Sequence, residues 1–473
     1  MQVANINIKE IHSYYQLRMK PTAFLNQGRR TFISLTDSKS VIGQVGNIVK
    51  SVYRPGIFKR SFVSNLEYGK KYITASSMMS QDALLFSKIL SVKWTDNLDP
   101  MILHPQMILV SCAGTIGQTR LIGEDLEGVV GSQDIIRVIP KAENYGFVYA
   151  YLSAPTINSY LQSLLYGSVV PRIEPEVIYN LPLADIPEEA QKEIHRIISK
   201  AYSLRNQASA LLSEASEDLK RETGLKQLSP DDYDYFGARS YERQPSCYSR
   251  NIKEVGTVSI NAFNHSECIE HIKMSIPVEC KRLKDVIEHG DVFSTGSFPR
   301  VEIKGKNGIK LINQSDIFDT QINGKLISKR NVKLSNLVKY GEIIIAGVGT
   351  LGENETFCRS IFANEDLDGQ LISGEFIRMN ASDIPAGYLY TWLNSDYGFR
   401  LIRSTQAGTK LCRPIPQLLL DIPVPIVGFE KMMAIDAKVK QAFTNRHVAN
   451  MEESKAISMV ETELEKLIRK TQN

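Results

Sequence analysis

Leu109-Val110-Ser111-Cys112-Ala113-Gly114-Thr115-Ile116-Gly117 recurs as Ile344-Ile345-Ala346-Gly347-Val348-Gly349-Thr350-Leu351-Gly352, and this recurrence decides the fold. On the N-terminal side, Gly69-Lys70-Lys71-Tyr72-Ile73-Thr74-Ala75-Ser76 answers Gly308-Ile309-Lys310-Leu311-Ile312-Asn313-Gln314-Ser315. Asp125-Leu126-Glu127-Gly128 answers Asp366-Leu367-Asp368-Gly369, and Ile136-Arg137-Val138 answers Ile377-Arg378-Met379. Tyr149-Ala150-Tyr151-Leu152-Ser153, Gly167-Ser168 and Asn180-Leu181-Pro182 find partners in Tyr390-Thr391-Trp392-Leu393-Asn394, Gly408-Thr409 and Asp421-Ile422-Pro423. The offset runs from 235 (109 to 344) to 241 (136 to 377), so a small insertion or deletion accounts for the drift. Each match is weak alone; the preserved order makes the chain a tandem duplication.

Each half opens with short strand-like runs, such as Met107-Ile108-Leu109-Val110 and Glu342-Ile343-Ile344-Ile345, bounded by glycine, proline and asparagine. Each half closes with a long helical segment. From Glu188 to Glu222 there is neither proline nor glycine, and Ala190, Ile194, Ile197, Ala201, Leu204, Ala208, Leu211 and Ala215 keep a 4-3-4-3 spacing. That period makes a left-handed coiled-coil seam. Pro187 suits the first turn, Glu188 and Glu189 complement the positive helix end, and Gly224 supplies a stop. At about 1.5 Å per residue such a helix is a rod roughly 50 Å long. The second segment, from about Glu430 to Lys470, repeats the pattern loosely with Met432, Ile435, Val439, Ala442, Ala449, Ala456, Val460 and Leu467, interrupted by Arg446 and Glu453. Each helix could pack on its own domain or drive self-association; the favoured reading pairs the two antiparallel within the chain. The expected fold is α+β: two duplicated β-rich domains (1–186 and 224–427) separated by long helices (187–223 and 428–473) paired as an antiparallel coiled coil.

Composition sets bounds. The chain has 473 residues, 43% hydrophobic and 23% charged, which suits two or three soluble globular domains. No apolar run approaches the roughly 20 residues of a membrane span, and the first residues lack signal-peptide character, so a cytoplasmic location is expected. Six scattered cysteines without a C-x-x-C pair read as free thiols. A formal net charge of +4 permits a local nucleic-acid patch without demanding one.

Two domains alike in frame and different in detail suit double-stranded DNA, whose local two-fold symmetry lets paired readers address separated half-sites. The order of motifs makes the resemblance specific. Each half runs from a variable region to Gly114-Thr115-Ile116-Gly117 or Gly349-Thr350-Leu351-Gly352. A Gly-Ser or Gly-Thr element follows with an arginine behind it (Arg172, Arg413), then the Leu181-Pro182 or Ile422-Pro423 exit and a long helix. This arrangement resembles the specificity subunits of type I restriction-modification systems over nearly the whole chain. Residues 225–280, with Asp231-Asp232-Tyr233-Asp234-Tyr235-Phe236 near their start, and the first 45 residues depart from the plan.

The resemblance implies a target recognition domain in each half, a bipartite asymmetric DNA site, and helices that dock two modification (adenine methyltransferase) subunits, with restriction subunits where the system has them. S-adenosylmethionine, ATP and magnesium would belong to those partners, and this subunit would hold no cofactor or catalytic site. The alternatives are the recognition component of another restriction-modification or phage-defence assembly, or a coiled-coil scaffold displaying two non-DNA binding domains. Neither a G-x-x-x-x-G-K-[ST] loop nor an Asn-Pro-Pro-aromatic methyltransferase signature occurs.

Phosphate contacts need positive charge or N–H donors, whereas base reading needs directional polar groups. The first half offers Arg54, Lys59, Arg60, Lys70, Lys71, Ser76 and Arg172; the second offers Arg300, Lys304, Lys306, Lys310, Gln314, Arg403, Lys410 and Arg413. An ordinary exposed face is the competing reading for any one of them. Helix pairing is assigned to Ile194, Ile197, Ala201, Leu204, Ala208, Leu211, Ile435, Val439, Ala442 and Val460. Gly347-Val348-Gly349-Thr350-Leu351-Gly352 fits G-x-G-x-x-G, but Glu353-Asn354-Glu355 continues poorly as the helix a dinucleotide site needs, so a tight turn is expected. His265, Cys268 and His271 match no strong zinc spacing and read as a solvated or helix-surface cluster.

Overall fold

The structure, a computed structural model, describes residues 6, 8, 11, 21–165, 171–229, 232, 248–256, 258–305 and 307–472. The chain forms two compact units, Met1–Asn206 with Val448–Asn473, and Gln207–His447. Among the described residues no helix is long and apolar enough to cross a membrane.

The first unit contains α1 (Gln27–Asp37), β1 (Val41–Gln44), β2 (Val49–Tyr53), β3 (Phe62–Val63), β4 (Gly69–Ile73), β5 (Lys88–Ser91), β6 (Ile108–Ser111), β7 (Thr119–Leu121), β8 (Val130–Gly131) and β9 (Ile135–Pro140). Then come α2 (Tyr145–Ser153), α3 (Pro155–Ser163), α4 (Pro175–Tyr179), β10 (Pro182–Ala184) and the start of α5 (Glu188–Thr223). Its sheets are ordered β2-β9-β6-β7, β3-β5-β4-β8 and β1-β10. β6 is buried along its whole length because β7 and β9 flank it and side chains cover both faces, which is why it reads as an unbroken apolar run.

The second unit contains α6 (Glu267–Met274), β11 (Cys280–Arg282), β12 (Gly308–Ile312), β13 (Lys325–Ser328), β14 (Ile343–Ala346), β15 (Ser360–Phe362), β16 (Leu371–Ile372) and β17 (Phe376–Met379). It continues with α7 (Ala386–Asn394), α8 (Asp396–Ser404), β18 (Gln406–Ala407), β19 (Arg413–Pro414), α9 (Pro416–Leu420), β20 (Pro423–Pro425) and the start of α10 (Phe429–Gln472). Helix α6 gives regular structure to part of the stretch that departs from the repeat.

Strand registers coincide between the units. Ile108 pairs with Leu121 and Val138, and Ile343 pairs with Phe362 and Met379. The parallel pair Tyr72–Val130 has its counterpart in Leu311–Leu371, and Pro182 opposite Gln44 has its counterpart in Pro423 opposite Arg282. Side chains follow suit. The Tyr151 hydroxyl donates to the Pro182 carbonyl at 2.7 Å, and the Trp392 indole N–H, 241 residues after Tyr151, donates to the Pro423 carbonyl at 3.0 Å. Arg137 and Arg378 are both fully buried. The Arg137 guanidinium donates to the carbonyls of Gly131, Ser132 and Ile135; Arg378 donates to those of Asn336 and Leu337 and to the Glu342 carboxylate. A buried guanidinium needs that many acceptors because its desolvation is otherwise uncompensated.

In the first unit Ile194 and Ile197 share one core with Ala456, Val460 and Leu464 of α10 and with Ile108, Val138 and Val148. The helical stripe therefore faces both its unit's sheet and the other long helix. Lys200 reaches Glu452 at 2.6 Å, and Arg205 donates to Asn450 at 2.9 Å. In the second unit Lys438 bridges Glu214 and Asp218 at 2.8 and 2.9 Å, and Lys431 reaches Glu222 at 2.5 Å. Within each unit, rising numbers on α5 meet falling numbers on α10. Ala201, Ala208, Ile435, Val439 and Ala442 are buried, while Leu204 and Leu211 are half-buried. Arg446 and Glu453, which break the apolar stripe, are themselves buried: Arg446 lies over the Phe443 ring, and Glu453 pairs with Arg205 and accepts from the Tyr149 hydroxyl.

Candidate nucleic-acid interface

In the first unit Lys59, Arg60 and Ser76 are exposed, and Lys70 and Lys71 stand half-exposed on β4 opposite Leu90 and Ile89. Arg54 is held by Glu174 at 3.1 Å, and Arg172 lies 3.8 Å from Asp134. The Arg172 backbone is bridged to Ala113, next to the Gly114–Gly117 turn. The Gly167-Ser168 element lies outside the described residues, as do Lys306, Cys247 and most of the Asp231–Phe236 run.

In the second unit the turn at Gly349 is joined to the strand end at Cys412: Gly349 N donates to Cys412 O at 3.2 Å, and Cys412 N to Gly349 O at 2.8 Å. This bridge sets Thr350 beside the β18–β19 hairpin, where Thr409, Lys410 and Arg413 are exposed. Arg300 is exposed with its guanidinium 5.6 Å from the Phe298 ring centroid, and Lys304 is exposed.

Three expected DNA contacts are occupied within the fold instead. Arg403 is fully buried, and its guanidinium donates to the Leu351 and Gly352 carbonyls, so it braces the turn from behind. The Gln314 amide donates to Val348 O at 2.6 Å and accepts from Val348 N at 3.3 Å, spending its directional groups on the same turn. The Lys310 ammonium donates to the Ile322 carbonyl at 3.1 Å. Polarity and repeat position nominated all three, and neither signal distinguishes a side chain turned inward from one turned outward.

Arg359 and Arg400 join Arg403 around Phe399, with the Arg359 guanidinium carbon 3.5 Å from the ring centroid and that of Arg403 4.8 Å away. Burial, reinforced by the Arg403 charge, pulls Arg359 down to about 10. Glu353 answers this charge by accepting from Arg400 at 3.1 Å. No helix follows the turn, and its glycines face protein: a Cβ on Gly347 would stand 2.7 Å from the Glu375 carbonyl oxygen, and one on Gly349 would stand 2.9 Å from Phe357. The arrangement is a close backbone crossing, without the helix N-terminus that cradles a pyrophosphate.

His265 Nε2 lies 2.8 Å from the Ser259 carbonyl, and His271 lies 3.7 Å from Asp232. Among the described residues no group of three or more His, Cys, Asp or Glu side chains could hold a metal ion. Cys112 is buried, and burial pushes its thiol up to about 11, so it packs as an apolar side chain. Exposed Lys88, Lys93 and Trp94 were not nominated from the sequence, because no repeated motif covers them.

Residues 38–213 match the type I restriction modification DNA specificity domain. Among solved structures, the type I restriction-modification S subunit from M. genitalium is 14% identical with a TM-score of 0.31, covering 90% of this chain and 97% of that one. The HsdS subunit from Thermoanaerobacter tengcongensis is 12% identical with a TM-score of 0.24, covering 90% and 95%. No curated protein matches the chain. The likeness of this chain is thus to a DNA specificity domain of type I restriction-modification systems, over residues 38–213.

Proposed function

We propose that the chain reads a bipartite, asymmetric double-stranded DNA site and positions adenine methyltransferase subunits on it. Residues 1–186 and 224–427 serve as the two target recognition domains. Helices 187–223 and 428–473 serve as an antiparallel spacer that sets the ignored gap between half-sites and docks two modification subunits. The observation that supports this reading is the repeated set of strand registers bearing different loops: Tyr72–Val130 and Leu311–Leu371 share a frame, while the segments around Trp94 and Leu334 do not resemble one another. A shared frame with divergent loops suits two readers of unlike half-sites.

Exposed Lys59, Arg60, Arg300, Lys304, Lys410 and Arg413 supply charge for phosphates. Target adenines would be flipped into a partner's pocket, since their reactive atoms cannot be reached within the stack. S-adenosylmethionine, and ATP with magnesium for restriction, would act on partner subunits.

The test is co-expression with the cognate modification subunit and methylation of a randomised duplex library. A split motif methylated only when both proteins are present is the expected result. An assembled complex with neither sequence preference nor methyl transfer overturns the reading and turns attention to another defence assembly or a non-DNA scaffold.

A further inference from the structure

One edge of the first unit concentrates the protein's excess charge beside exposed rings. Between residues 56 and 95 stand Lys59, Arg60, Lys70, Lys71, Lys88 and Lys93, against Glu67 and Asp82. Six minus two is +4, equal to the formal net charge of the entire 473-residue chain, so the rest of the chain sums to zero. Strands β3, β5 and β4 carry this stretch, with Phe62 opposite Leu90 and Leu90 opposite Lys70. The Val92 N–H donates to the Tyr68 carbonyl at 3.2 Å, which brings the segment leading to Trp94 beside Tyr68.

Apolar side chains here remain in water. Trp94 is 65% exposed, Tyr68 61% and Phe62 43%, whereas the chain's other tryptophan, Trp392, is fully buried. Lysines flank the rings: Lys93 Nζ lies 5.1 Å from the Trp94 centroid, and Lys88 Nζ lies 5.2 Å from that of Phe62. Exposed cation–aromatic contacts contribute only about 0.5–1 kcal/mol each, too little to account for keeping three large rings solvated. Together, rings and cations suit a partner with a charged backbone flanked by apolar sugar and base-edge surface.

Resting on the DNA reading above, we propose that this edge is a duplex-contact surface of the first unit. Lys88 and Lys93 take phosphates, while Trp94 and Tyr68 pack against sugars and base edges. The charge count favours nucleic acid over a protein partner, because counter-ion release rewards a cluster of cations on a polyanion.

The test uses the full-length chain and a mixed-sequence DNA duplex at low salt. Acrylamide quenching of wild type and W94F isolates the Trp94 emission, because W94F retains only the buried tryptophan. Duplex should lower the Trp94 quenching constant by about twofold or more, as expected when a ring is covered by nucleic acid. The K88A/K93A double variant should bind about tenfold more weakly and lose about two from the slope of log K against log salt, one per lysine.

Tight duplex binding with Trp94 as quenchable as before and an unchanged salt slope overturns this surface while leaving the DNA reading intact. Failure of the chain to retain any duplex overturns both. Protection of Lys88 and Lys93 from acetylation by a modification subunit without DNA would assign the edge to a protein partner and overturn the proposal.

Discussion

The Tyr149 hydroxyl donates to the buried carboxylate of Glu453 at 2.8 Å, joining residues 304 positions apart in the sequence. Arg205 pairs with the same carboxylate, and Arg120 lies within its field. Burial raises the Tyr149 phenol, and the Glu453 charge raises it further; burial lowers Arg205, but Glu453 and the Tyr149 oxygen outweigh that and hold it raised. E453A removes the carboxylate from the buried Tyr149–Arg205 contact. It should cost about 3–5 kcal/mol, the usual penalty for breaking a buried pair. Y149F should cost about 1 kcal/mol, one net hydrogen bond. Urea unfolding followed by circular dichroism checks both, and equal losses would contradict the assignment.

The Gly146 N–H at the start of α2 donates to His195 Nδ1 at 3.2 Å, where the Gly387 N–H of α7 donates to Asp436 at 2.8 Å. Accepting at Nδ1 requires an unprotonated nitrogen. Burial lowers the His195 pKa against the opposing pull of Glu143, while the Tyr145 ring and the Ser199 hydroxyl complete its surroundings. With the folded pKa depressed, this contribution is full above the unfolded value of about 6.5 and falls away as pH drops below it. Amide exchange at Gly146 should accelerate as pH falls from 7 to 5 after correction for intrinsic rates, while Gly387 stays protected. H195N should abolish that difference.

Arg403 holds the Leu351 and Gly352 carbonyls from inside. R403A removes charged hydrogen bonds, each contributing roughly 1.5–3 kcal/mol. The expected signature is faster amide exchange at Gly349 and Cys412, with DNA affinity reduced and its salt slope unchanged. A slope reduced by about one would mean that Arg403 contacts phosphate directly.

Gly347 N donates to the Glu375 carbonyl, just as Cys112 N donates to that of Asp134. The first unit admits a side chain at this point, and the second leaves no room for one. G347A should destabilise the second unit by about 1–3 kcal/mol, the range for overpacking. C112G should cost about 1 kcal/mol, mainly backbone entropy and one small buried side chain. Differential scanning calorimetry of both variants checks the ordering.

The recurring strand motifs and the span of the first long helix were legible in the sequence, because both are local patterns. Glu188 to Glu222 shows its period and its end signals without reference to anything distant, and the observed helix is Glu188–Thr223. The second long helix, Phe429–Gln472, carries residues that the stripe alone misread. Glu453 looked like an interruption, yet Tyr149 and Arg205 give it partners that no periodicity contains.

The same limit governs the interface. Sequence by itself determined where each turn recurs and which polar residues accompany it. Only the tertiary structure decided that Gln314 and Arg403 turn inward to brace the turn while Lys410 and Arg413 remain outside. It also decided that Trp94 stands in solvent among lysines while Trp392 is sealed in the core. The reason is physical: a side chain's direction depends on which carbonyls, rings and charges distant segments bring near it, and those neighbours exist only once the chain has folded.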